Sequence, residues 1–416
     1  MSAKWSAKRL KYGARLNPPV PARIRSLTDE PLSFIPMEAI GEDWSLDTSR
    51  QRPAEDLFGG YSYFEDGDLL MAKVTPCFEN GKVTVARGLT RGSGFGTTEV
   101  TVVRATEFHP QFLFYVLNED GFRQRCVADM TGAGGLKRVP DSSVRDYRVL
   151  FPSLESQGVI ADFLDRETGE IDSFIRDQEE LIGLLQERRA ATISHTVTKG
   201  LDPNTPLQDS GVKWLGLVPA SWRTRPLWSM FRKIKDTGHP GEVMLSVYRE
   251  HGVVEKGSLE NLNKTAENRD IYQLIEPGWL VANRMKAWQG SVGISQYRGI
   301  VSGHYICFAP RHQESSDFLN LLFRSRPYAA GYATLSRGVR IGQAEIDNDQ
   351  YRLLPVLLPP LSEQHRIVRV LAEELTDIDA AITDARGAIV LSAERRSALI
   401  SAAVTGRIDV RERLGV

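Results

Sequence analysis

"FPSLESQGVIADFLDRETGEIDSFI" (Phe151 to Ile175) and "LPPLSEQHRIVRVLAEELTDIDAAI" (Leu358 to Ile382) stand 207 positions apart and repeat one pattern. Laid together without a gap, residues 151–202 and 358–409 are identical at 21 of 52 positions. Solenoid units recur at roughly 20–50 residues, so a period this long duplicates a domain together with its helix.

Each copy opens on proline (Pro152; Pro359 and Pro360), which favours an extended approach and a helix start just after it. Each then runs free of proline to Thr198 or Thr405 and meets Gly200 or Gly406, a stop signal. Leu371, Leu375, Ile378, Ile382, Ala385 and Ile389 step by alternate fours and threes. Leu164, Thr168, Ile171, Ile175, Gln178, Ile182 and Leu185 take the same steps with two polar substitutions. That is a heptad seam. A helix of this length cannot stand alone in water, and the economical arrangement packs the two copies on each other, antiparallel. Ser153 and Ser156, where the second copy has Pro360 and Glu363, predict a less regular start for the first helix.

The chain has 416 residues, enough for two or three domains, and a net charge of −1. The charge is unevenly spread: +1 over 1–150, −7 over 151–209, +6 over 210–357 and −1 over 358–416. Acid collects in the first repeated segment and base between the copies. No apolar stretch reaches the ~18 residues of a membrane span, which predicts a soluble, cytoplasmic protein with no membrane partner. Cys77, Cys126 and Cys307 are scattered and lack metal-ligand spacing, so neither a disulfide framework nor a structural zinc is expected.

The segments before the two helices have diverged but share a plan. "YFEDGDLLMAKVTPCFENGKVTV" and "LIEPGWLVANRMKAWQGSVGIS" each read as turn, strand, loop and strand, with Gly67 matching Gly278 and Lys73 matching Arg284. "GTTEVTVVRAT" and "SGHYICFAP" read as buried strands, and "FLFYVLNEDGFRQRC" and "FLNLLFRSRPYAAGY" as one helix each. Gly-rich polar loops, "TGAGGLKRV" and "SRGVRIGQA", lead back through a short apolar strand to the next long helix. The expected fold class is α+β: two α+β domains and a pair of long antiparallel coiled-coil helices, related by an internal pseudo-two-fold repeat. The boundaries read as 1–150, 151–201, 202–357, 358–405 and a tail at 406–416.

Basic side chains beside glycines in matching places are the candidate nucleic-acid contacts: Lys73, Lys137, Arg138, Arg284, Lys286, Arg337 and Arg340. Trp288 sits among them and serves equally well as core. The repeated "ERR", Glu187, Arg188, Arg189 and Glu394, Arg395, Arg396, is a candidate docking face, its other reading being a solvated helix surface.

No catalytic constellation emerges. "NPPV" (Asn17 to Val20) resembles the Asn-Pro-Pro-aromatic motif of amino-methyltransferases but lacks the aromatic and the upstream cofactor loop, and "GSGFG" (92–96) lacks the acidic residue and strand expected of one. None of the 13 lysines has Asp or Glu two residues before it, which removes the common metal-nuclease motif. There is no Walker loop, and the seven histidines form no triad or metal pattern, so neither a catalytic nor a metal site is expected.

With these elements in place, the chain resembles the specificity subunit of Type I restriction-modification systems. The phrase "LPPLSEQHRIV" is highly specific to that family, "FPSLESQ" repeats it, and "NRMKAWQGSVGIS" with "GIVSGHY" is similar to one of its common recognition-domain types. The resemblance covers nearly the whole chain. It implies a non-catalytic DNA-binding subunit with two target-recognition domains, each reading one half of a bipartite, asymmetric target in double-stranded DNA. The helices would set the spacing and dock two methyltransferase subunits, with two restriction subunits where the system has them. It implies no cofactor in this chain; S-adenosylmethionine, ATP and Mg would reside in the partners. The competing reading is a non-catalytic coiled-coil scaffold whose α+β domains bind proteins or another ligand.

Overall fold

The structure, a computed structural model, describes residues 5–133, 135–258, 269–337 and 345–411. Two helices dominate it, Leu154–Lys199 and Leu361–Val404, of 46 and 44 residues. At 1.5 Å per residue the first is ~69 Å long. The chain divides into two compact units, residues 1–179 with 387–416, and residues 180–386, so each long helix contributes one end to each unit.

Within each unit the two helical ends run antiparallel. In the first, Ile160, Phe163 and Leu164 share a core with Ile400, Ala403 and Val404, while Asp172 meets Arg396 further along. In the second, Val197 and Ile193 pack with Ile367 and Leu371, while Arg189 meets Asp379. The heptad residues line these contacts: Leu164, Thr168, Ile171, Leu371, Ile378, Ile382 and Ala385 are buried. Both helices end where expected, before glycines with left-handed backbones, Gly200 (φ 82°) and Gly406 (φ 66°). A Cβ at Gly406 would lie 2.8 Å from Trp5, closer than side chains pack, and one at Gly200 would lie 3.2 Å from Glu363 and 3.3 Å from Trp222, a tight fit, so a tryptophan covers each helix end.

The first helix start is not less regular, contrary to the sequence reading. Ser153 caps it: its Oγ accepts from Ser156 N at 3.2 Å, the work of an ordinary N-cap serine. Gln157 and Gln364, both fully buried, then repeat one clamp. Each Nε2 donates at 2.9 Å to a proline carbonyl, Pro152 or Pro359, and each Oε1 accepts a backbone N–H from the preceding α+β domain, His109 N at 2.8 Å or Ser315 N at 3.0 Å.

The α+β domains share a four-stranded antiparallel sheet of one order. The first runs Ala14–Leu16, Val100–Ala105, Leu69–Ala72, Val83–Val85, and the second Phe231–Ile234, Tyr305–Pro310, Leu280–Asn283, Val292–Ile294. Leu69 faces Val103 as Leu280 faces Phe308. Gly67 and Gly278, matched in the sequence, precede equivalent strands with φ of 91° and 85°. A further strand at each domain's start pairs with the strand just before its own long helix, Ser6–Arg9 with Arg148–Phe151 and Arg223–Pro226 with Pro355–Leu358.

The segments read as one helix each are two. They break at Glu119 and Ser325, whose backbones are extended, into Pro110–Asn118 and Asp120–Ala128, and Ser316–Arg324 and Arg326–Thr334. In the first half the break caps a new helix, Glu119 accepting from Phe122 N at 2.8 Å, and binds the long helix, Ser401 Oγ donating to Glu119 at 2.6 Å. In the second half Ser194, the counterpart of Ser401, accepts from Arg326 N at 3.3 Å.

The first domain adds a second four-stranded sheet, with Ser93–Gly96 at its centre. This explains "GSGFG". A Cβ at Gly94 would lie 2.8 Å from Phe64, and one at Gly96 would lie 2.8 Å from the Ile35 carbonyl, so the glycines permit close strand and ring packing.

Candidate nucleic-acid interface and docking face

In the first domain, Lys73, Lys137 and Arg138 come together. "TGAGGLKRV" forms a hairpin, Thr131–Ala133 with Leu136–Arg138, laid against the chain after Lys73. Val139 N donates to Lys73 O at 2.8 Å, Thr75 N to Lys137 O at 3.0 Å, and Lys137 N to Thr75 Oγ1 at 2.9 Å. Lys137 and Arg138 are exposed, Lys73 half-buried, and Arg138 pairs with Glu99 at 3.3 Å. Gly132 and Gly135, with φ of 149° and 83°, allow the tight return, and the hairpin fixes two cations on a surface edge. Arg104 is spent inside the domain: it donates in bidentate fashion to the buried Asp68 at 2.7 and 2.6 Å, and that hydrogen bonding raises its pKa.

In the second domain, Arg284 and Lys286 lie on the turn joining Leu280–Asn283 to the edge strand Val292–Ile294, Arg284 half-buried and Lys286 exposed. Arg337 belongs to a short strand, Ser336–Arg337, paired with Glu345–Ile346, and Arg340 lies outside the described residues. Trp288 packs against the core and donates from Nε1 to Met285 O at 3.0 Å, so it is a structural residue and not a free stacking platform.

Asn17 is engaged within the fold. Its Oδ1 accepts from Val102 N at 3.0 Å and its Nδ2 donates to Asp141 at 3.2 Å, tying the sheet to the start of the short helix Asp141–Arg145. Among the described residues no three His, Cys, Asp or Glu side chains group as metal ligands. A shallow cavity of about 360 Å³ lies beside Trp44, Tyr115, Asp165 and Asp172. Its polar groups satisfy one another: Gln111 donates to Asp165 at 2.7 Å and Tyr115 donates to it at 2.6 Å, while burial pushes the Tyr115 phenol up.

The repeated "ERR" divides by role. Arg189 and Arg396 reach inward to Asp379 and Asp172, which removes them from the candidate docking face. Glu187, Arg188, Glu394 and Arg395 stay exposed. Sequence reasoning missed their neighbours, Leu184 (58% exposed) and Leu391 (67%), identical residues at equivalent positions. Ala191 and Ala398 complete one exposed stripe on each copy. The signal was available, because a repeated leucine off the heptad seam has no reason to recur for packing.

No family model matches the chain. Two curated relatives from Escherichia coli are similar to part of it. The Type I restriction enzyme EcoEI specificity subunit is 35% identical over 161 residues, covering 38% of this chain and 26% of the relative. The EcoAI specificity subunit is 34% identical over 158 residues, covering 37% and 26%. The matched stretch thus spans about a quarter of each relative's length. Among solved structures, a chain from work on complex assembly and conformational transition of a type I R-M system has a TM-score of 0.75 at 16% identity, over 97% of this chain and 98% of that one. The HsdS subunit from Thermoanaerobacter tengcongensis has a TM-score of 0.56 at 16% identity, over 98% of both. These likenesses concern the fold. The resemblance drawn from "LPPLSEQHRIV" is borne out, both curated relatives being Type I specificity subunits.

Proposed function

We propose that this chain is the DNA sequence-specificity subunit of a Type I restriction-modification complex, non-catalytic itself, whose two α+β domains each read one half of a bipartite target. The observation that carries this reading is the unequal fate of the repeat. The helical clamps, ion pairs and central sheets recur, while the loops that each sheet presents have diverged. A repeated frame with two different reading surfaces suits an asymmetric split target, and long continuous helices suit a fixed interval between its halves.

The exposed stripes favour protein partners on the helices. Leu184, Glu187, Arg188 and Ala191 recur as Leu391, Glu394, Arg395 and Ala398, and their charges cancel. A duplex is attracted by net positive charge, whereas an exposed leucine ringed by paired charges fits a protein interface. One surface written twice calls for one partner bound twice, which we assign to two methyltransferase subunits. These bring S-adenosylmethionine, and restriction subunits bring ATP and Mg.

Co-expression with the methyltransferase subunit in an unmethylated host, followed by sequencing for modified adenines, tests the proposal. One split, non-palindromic motif is expected. Methylation without sequence preference overturns it.

A further inference from the structure

The turn "NRMKAWQG", Asn283 to Gly290, is held unusually firmly for a surface loop. Asn283 Oδ1 accepts from Met285 N at 3.1 Å and Lys286 N at 3.2 Å. Trp288 Nε1 donates to Met285 O, Ala287 is fully buried, and Gly290 closes the turn with a φ of 93°. Gly290 N donates to Ala287 O at 2.7 Å and Ser291 N to Lys286 O at 3.2 Å. Three side chains are left exposed on this frame: Met285, Lys286 and Gln289. Among the described residues the Lys286 and Gln289 side chains make no hydrogen bond or ion pair. The turn contains two cations and no acid.

The equivalent turn of the first domain is built differently. It exposes Glu79, and Asn80 spends its amide on Glu42 at 2.8 Å. Its lysines, Lys73 and Lys82, are half-buried, and the exposed cations sit on the neighbouring hairpin.

We infer that the Asn283–Gly290 turn is the base-reading element of the second domain, with Gln289 and Lys286 making contacts to base edges. The inference rests on the proposed function. A reader needs donors held in fixed positions before DNA arrives, because ordering long side chains and their loop at binding costs affinity. Here the loop is already ordered, and its unpaired tips have the required chemistry: Gln pairs in bidentate fashion with adenine N6 and N7, and Lys donates to guanine O6 and N7.

The test compares methylation motifs of the complex carrying Gln289→Glu, Gln289→Ala, Lys286→Ala or the unchanged chain, in the unmethylated host. Thermal unfolding of each variant provides the folding control, and Gln289→Glu keeps side-chain shape if the alanine variant fails to fold. The expected result is relaxation or change at one or two positions in one half-site, at least tenfold in the ratio of methylated bases, with the other half unchanged. Gln289→Glu should turn preference from adenine towards cytosine at its position, since a carboxylate accepts from cytosine N4. Folded variants that methylate the unaltered motif, at any rate, overturn the inference, as does simultaneous change in both halves. If the unchanged complex shows no motif at all, the proposed function fails instead.

Discussion

Arg189 and Asp379, 190 positions apart, form a bidentate ion pair between the long helices, with Nε to Oδ1 at 2.8 Å and Nη2 to Oδ2 at 3.3 Å. Moving each residue by one repeat of 207 carries the pair onto Arg396 and Asp172, which meet at 3.0 Å in the other unit. The chain thus makes one contact twice, once within each unit, with the roles of its helices exchanged.

The two copies differ in surroundings. Arg189 and Asp379 are 37% and 52% exposed, whereas Arg396 and Asp172 are 20% and 33% exposed, and the Arg396 guanidinium lies 3.7 Å from the Trp44 ring centroid. Double-mutant cycles followed by urea unfolding should give a coupling of about 0.5 kcal/mol for the open pair and about 1–2 kcal/mol for the pair covered by Trp44. Trp44→Ala should bring the second value down to the first. Equal couplings in the unchanged chain would refute the role given to Trp44.

Gln157 and Gln364 should be among the least replaceable polar residues. Replacing either with Leu strands a buried N–H and a buried carbonyl, at about 1–3 kcal/mol for each unpaired group. Unfolding of Gln157→Leu should therefore be easier by about 2 kcal/mol or more. Gln157→Glu keeps the acceptor but buries a carboxyl whose folded pKa rises through desolvation. Its deficit should grow as pH climbs above ~4.3, so the variant should lie closer to the parent at pH 4 than at pH 8. A deficit that does not change with pH would show that Gln157 is not held in a dry site.

The repeat, the seam and the strand plan were legible because each depends on local order: heptad steps, alternating apolar runs and glycines at turns. What escaped depends on partners distant in sequence. Nothing near Arg189 or Arg396 announces which of the three "ERR" positions faces the other helix; register across the pair decides it. The break at Glu119 likewise needs Ser401, 282 positions away, to make its capping geometry worthwhile. Trp44 sits on a loop of the first domain with a left-handed backbone (φ 69°), a conformation no sequence rule assigns to tryptophan. Gln157 and Gln364 could have been found. An identical polar residue five positions after Pro152 and Pro359, at the root of a helix, is better suited to a clamp than to a solvated face.

The cysteines should separate by reactivity. Burial pushes the Cys126 and Cys307 thiols up to about 12, and neither side chain reaches solvent, while Cys77 is half-buried on a turn. Because thiolate and access govern attack, a thiol reagent at pH 8 should modify one cysteine per folded chain and all three after denaturation. Mass spectrometry of the modified peptides identifies the site. Rapid modification of Cys126 in the folded chain would contradict its place in the core.

Leu184 and Leu391 give the most direct check on the proposed docking face. Both are exposed and make no contribution to the helix seam, so Leu184→Glu and Leu391→Glu should change stability by no more than about 0.5 kcal/mol. Their effect should appear in assembly. A buried interfacial leucine replaced by a charge leaves that charge desolvated and unpaired, a cost of several kcal/mol, enough to lower affinity at least a hundredfold. Native mass spectrometry of the unchanged chain with the methyltransferase subunit proposed for it should show two copies bound. Each single variant should hold one, because the other stripe remains intact, and the double variant should hold none at the same protein concentrations. If both single variants still bound two copies, the partner would have to grip the chain elsewhere, and the repeated leucines would need another explanation.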